Sequence, residues 1–127
     1  QTYKSIAVQA ITEERIEWLD ELRKIAEDFS FAISEVRLAN LDCNLQRNTS
    51  EYRKLTREVD RIYARLLLQL GPEGEQEEKI IEAARKLISA AEKPHERFRE
   101  LEKDFMHETR ILLKQEWKKA KNEAGVK

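Results

Sequence analysis

Glycine and proline are scarce in this chain, three and two respectively in 127 residues, so the backbone has few places to turn sharply. Gly71, Gly74 and Gly125 form no phosphate-cradling glycine loop. There is also no G-x-S-x-G elbow and no Ser-His-Asp grouping. The lone cysteine, Cys43, excludes an internal disulfide and a thiolate metal cluster. Its place on an apolar helical stripe reads as a core thiol in a reducing compartment. No run of about 18 apolar residues exists, so no segment reads as a membrane span. An excess of either charge is missing as well: 24 Lys and Arg against 25 Asp and Glu leave a net charge of -1. A dedicated nucleic-acid binder relies on a positive field, so nucleic acid is disfavoured as a partner.

What is abundant is charge of both signs, 39% of the chain, beside 40% apolar residues in strong periodicity. That is the composition of long helices with solvated faces, folded as one domain over 1–127. From Thr12 to Cys43 the apolar residues Trp18, Leu22, Ile25, Phe29, Ala32, Ile33, Val36 and Ala39 recur every three or four positions. With Ile6, Ala10 and Ile11 ahead of them, a first helix spans about 2–46, starting near Thr2 or near Thr12. Leu38, Leu41 and Leu45 add a second apolar flank, which predicts a helix end covered on two sides.

Asn48 with Glu51 has capping-box spacing and opens a second helix over about 50–70. Gly71-Pro72 ends it. Acidic Glu75, Glu77 and Glu78 suit the first turn of a third helix over about 75–91. Pro94 begins a fourth over about 94–122. Short connections make this an all-α, antiparallel up-down four-helix bundle. The second helix reaches back along the first only to about Asp28, so the remainder pairs with the last helix. The expected result is a two-helix stem with Trp18 near Trp117.

Few residues could carry chemistry. Glu92-x-x-His95 and Asp104-x-x-His107 have the acid-x-x-His spacing of di-iron bundles, yet sit about 18 Å apart along one helix and lack inward carboxylates from the others. His107 as a phosphotransfer residue would need small neighbours, and Glu108-Thr109-Arg110 follow it. The reading is non-enzymatic, without cofactor, resident metal or small-molecule substrate. Arg53, Arg57, Arg61 and Arg65 make a basic ridge, extended by Arg47 and Lys54. It either binds phosphates of nucleic acid or anionic lipid, or pairs with acids such as Glu35, Asp42, Glu78 and Glu82. Lys114, Lys118, Lys119, Lys121 and Lys127 complement the dipole at the end of the last helix.

Three stretches together carry a resemblance. Arg15-Ile16-Glu17-Trp18-Leu19-Asp20-Glu21-Leu22-Arg23 fits R-x-E-W-[IL]-x-x-[IL]-R. Leu66-Leu67-Leu68-Gln69-Leu70-Gly71-Pro72 resembles an L-x-L-N-P helix end, with Leu70-Gly71 in place of Leu-Asn. The run Leu112 to Lys121 resembles a closing L-K-x-E-W-x-x-[VA]-K. The combination is similar to a family of uncharacterised small bacterial proteins in which hydrophobic helices accompany a helical domain. The resemblance implies a cytoplasmic domain at the inner face of a membrane, tethered by a segment outside this chain; Gln1 in place of an initiator Met accords with that expectation. The residues themselves add a reason for the motif pair: Arg15-Trp18 and Trp117-Lys121 meet in the stem, Trp and long cationic side chains covering each other, with Glu17 or Glu116 pairing across it; Arg23 and Lys114 are further candidate interaction residues. The function expected is an interaction or assembly module with a protein partner or a second copy of itself. The alternatives are a basic-ridge module and a metal-binding or phosphotransfer bundle.

Overall fold

The computed structural model describes residues 3–42, 46–72, 74–92, 97–123 and 125, with side chains from Gln9 onward. The expectations placed on Cys43, Leu45, Pro94, His95 and Lys127 lie outside the described residues. Four helices account for the described fold, with no strand among them: α1 Tyr3–Leu41, α2 Ser50–Leu70, α3 Glu75–Ala91 and α4 Phe98–Glu123. The boundaries of α2 and α3 are those the sequence predicts. α1 is already helical at Tyr3, so Thr12 lies within it and is not where the helix begins.

Hydrogen bonds and ring contacts fix the directions. Gln69 at the end of α2 meets Trp18, and Tyr52 at its start meets Asn40, so α2 runs back along α1. Phe29 packs on Phe105 at 5.1 Å between ring centroids and Arg15 pairs with Glu116, so α4 is antiparallel to α1 as well. Gln76 at the start of α3 donates to Glu108 of α4, while Asn40 of α1 donates to the carbonyl of Ala91 at its end. The chain is therefore an up-down-up-down bundle.

α1 is one unbroken helix of 39 residues, about 58 Å. Its stop at Leu41, earlier than the expected 46, corrects the register. Because the connection to α2 begins sooner, the 21 residues of α2 reach back to Trp18 and not merely to Asp28. The four-helix body is correspondingly longer, and the two-helix stem shrinks to the part of α1 before Trp18 with the last turns of α4.

The core lies where periodicity places it. Leu22, Phe29, Leu66, Ile80, Leu87, Phe105 and Leu112 are fully enclosed. Phe29 also tilts against Tyr63 of α2, so one side chain ties three helices. Thr109, the sole polar residue among the buried ones described, donates its hydroxyl to the Phe105 carbonyl at 2.8 Å. A Ser or Thr in mid-helix can satisfy itself on the preceding turn in this way. The expected second flank fails: Leu38 and Leu41 are 62% and 51% exposed. The start of α4 meets the end of α1 through Phe98, whose ring lies 4.3 Å from the Arg37 guanidinium, and Leu38 and Leu41 stay outside that contact.

Candidate interaction surfaces

The stem is held by charge. Arg15 donates from Nε to Glu123 at 2.6 Å and from Nη1 to Glu116 at 3.1 Å, clamping two turns of α4 with one guanidinium. Hydrogen bonding to Arg15, followed by its charge, draws the Glu123 carboxyl below the usual carboxylate range, and the bond to Glu123 raises the Arg15 pKa in return. Beneath the clamp Ala120 is buried. A small residue there lets the two helices approach closely.

The tryptophans both lie within a turn of this clamp, but no ring contact joins them. Trp18 donates its indole N–H to the Gln69 carbonyl at 3.2 Å, and Gln69 donates back to the Trp18 carbonyl at 3.0 Å. The longer reach of α2 therefore takes Trp18 into the body. Trp117 is 45% exposed and lies under the Lys121 ammonium, 5.5 Å from the ring centroid. Thus Arg15 pairs with Glu116 across the stem and Lys121 covers Trp117, as the paired motifs imply. Arg23 instead pairs locally with Asp20, and Lys114 points to solvent.

The basic ridge on α2 is partly neutralised. Arg65 bridges to Glu21 at 3.1 Å and Asp28 at 3.5 Å, both on α1, and Arg61 pairs with Glu58 one turn earlier. That bond lowers the Glu58 pKa and raises that of Arg61. Arg47 caps α3 by donating to the Glu92 carbonyl at 2.9 Å. Arg53 and Arg57 make no ion pair among the described residues. Glu82, expected as a ridge partner, lies beside Arg85 on its own helix.

His107 is exposed beside a shallow groove between α1 and α4 that Glu27, Ser30, Glu102, Lys103, Met106 and Arg110 also line. Among the described residues no group of three His, Cys, Asp or Glu side chains is arranged to hold a metal. No described helix is long and apolar enough to cross a membrane.

Two features escape the sequence reading. Phe31 is 70% exposed although it sits between the core residues Phe29 and Ala32, and with Leu38 and Leu41 it forms an apolar strip on the outer face of α1. Steps of seven and three keep those positions on one side of a helix. The signal was present, since Phe31 lies off the phase of the buried stripe. Asn40 is the second. Its amide nitrogen lies 3.0–3.1 Å from the Val36 carbonyl, the Tyr52 hydroxyl and the Ala91 carbonyl and shares two N–H groups among them, joining α1, α2 and the C-terminus of α3. An Asn four residues after Val36 on the buried face was a visible anomaly.

No family model, curated protein or solved structure matches this chain.

Proposed function

We propose that this domain is a non-enzymatic interaction module that assembles with a second copy of itself through the outer face of α1. The carrying observation is the strip Phe31, Leu38 and Leu41, 70%, 62% and 51% exposed on a helix whose opposite face is the core. Scattered apolar side chains are ordinary on a surface, but large ones aligned along a helix are a feature of interaction sites. The Phe31 ring alone offers on the order of 150 Å² for burial. The resemblance noted above supports a place for the domain at the cytoplasmic face of a bacterial membrane, with any tether outside this chain.

Sedimentation equilibrium tests the reading. The wild-type chain should show concentration-dependent dimerisation at micromolar levels, and Phe31→Ser with Leu38→Ser should be monomeric with an unchanged helical signal. A wild-type chain that stays monomeric throughout, or a double variant that dimerises equally well, removes self-assembly through this face.

A further inference from the structure

The longest uncompensated charge feature is on α4, not on the α2 ridge. Lys103, His107, Arg110, Lys114, Lys118 and Lys121 follow one another in steps of four, three, four, four and three. Five steps over 18 residues average 3.6, the period of the helix itself, so the row runs parallel to the axis for about 27 Å. All six are exposed. Lys103, Arg110, Lys114 and Lys118 make no ion pair among the described residues, and Lys121 rests on Trp117.

Among the acids of the same helix, Glu100 pairs with Arg97 ahead of the row, and four more are turned elsewhere. Glu108 accepts from Gln76 of α3, Glu116 and Glu123 are held by Arg15 of α1, and Asp104 faces the furrow toward α3. Glu102 of α4 and Glu27 of α1 line the groove at the Lys103 end of the row. A chain of net charge -1 thus keeps a positive line by segregation, with its negative charge drawn into helix contacts.

Shape selects the partner. α4 is packed against α1 on one flank and α3 on the other, leaving a straight, convex ridge of cations. Single-strand nucleic-acid binders surround the backbone with a groove and offer a series of aromatic platforms. Here the row borders a shallow groove only at its Lys103–Arg110 end and is not enclosed by it, and one aromatic, Trp117, stands at the other end. A convex line of charge meets a flat array of anions along its full length, and an exposed Trp beside lysine suits the boundary between headgroups and acyl chains. We propose that the outer face of α4 is a docking surface for anionic phospholipid, with Lys103, Arg110, Lys114, Lys118 and Lys121 on the headgroups and Trp117 at the interface. This contact is peripheral and separate from the apolar strip of α1.

Vesicle co-sedimentation of the full chain tests it. The chain should pellet with vesicles of phosphatidylcholine containing about a third phosphatidylserine, and not with phosphatidylcholine alone. Each lysine removed should weaken partitioning about five-fold, so Lys114→Gln with Lys118→Gln should lose about 25-fold, and raised salt should act in the same direction. Lys103→Gln with Arg110→Gln, at the other end of the row, should repeat the loss. Arg53→Gln with Arg57→Gln on α2 should change it less than two-fold. Absence of binding to the anionic vesicles, equal binding to both compositions, or equal losses from the α2 pair would overturn the proposal. So would tighter binding to a single-stranded DNA oligonucleotide than to the anionic vesicles at the same salt.

Discussion

Asn40 shows how much one side chain can set in a helical bundle. Its amide N–H groups satisfy the Ala91 carbonyl, which the end of α3 leaves without an intrahelical donor, and meet the Tyr52 hydroxyl, which in turn bonds back to its oxygen at 3.4 Å. Asn40→Ala leaves the tyrosine hydroxyl and the carbonyl short of partners in a partly buried place, so it should destabilise by about 2 kcal/mol, read as a lower urea midpoint. Thr109→Val is the contrasting case. The Thr109 hydroxyl serves only the Phe105 carbonyl, which already belongs to the α4 ladder, so the swap should stay within about 1 kcal/mol in the same titration. Periodicity identified the buried positions Leu22, Phe29 and Leu112, because burial follows phase. It could not foresee what Asn40 touches, since Tyr52 and Ala91 arrive only through the register of two other helices.

At the scale of the elements, legibility followed local chemistry. α2 and α3 have their expected limits because Gly71 and Gly74 bracket Pro72 and nothing else can occupy those conformations cheaply. Gly71 has φ 78° and donates its N–H to the Leu67 carbonyl at 3.1 Å, closing α2; Gly74 has φ 144° at the start of α3. Gly71→Ala should cost about 1 kcal/mol in thermal or urea unfolding, from the positive φ alone, since nothing stands near its added methyl. At Gly74 the methyl would also meet the Glu77 carboxylate, which is flexible enough to move aside. The cap of α2, though not its first residue, differs from expectation by one position: Thr49, and not Asn48, accepts the Tyr52 N–H on its hydroxyl. Ser, Thr and Asn all make good caps, so the run Asn48-Thr49-Ser50 offers three candidates and the connection decides among them. The end of α1 was harder still. No Gly or Pro marks it, and the helix stops where Asn40 and Tyr52 join the neighbouring chain ends, a tertiary cause invisible in the local pattern.

For the molecule as a whole, the division into body and stem has a dynamic and a pH consequence. The body surrounds Phe29, Phe105 and Leu87 with neighbours from several helices, whereas the stem has one helix pair, the small Ala120 and the Arg15 clamp. Fewer buried contacts mean local opening well below the global unfolding free energy. Part of the clamp titrates. The Glu123 carboxyl is held below its ordinary value by its hydrogen bond to Arg15, so the unfolded chain binds a proton there more readily than the folded one. Its contribution is therefore complete above the ordinary carboxylate range and is lost as pH falls through the lower, folded value. Trp117 lies within two turns of that carboxylate along α4, and in a Trp18→Phe background it is the only indole. Its emission should shift on acidification below about pH 4, while the far-ultraviolet helical signal of the body persists. Glu123→Gln should remove the shift and leave Trp117 at all pH values as it is in the acidified parent. If that variant titrated like its parent, the Arg15–Glu123 pair would not be what closes the stem, and the Glu116 contact with Ala120 packing would have to hold it unaided.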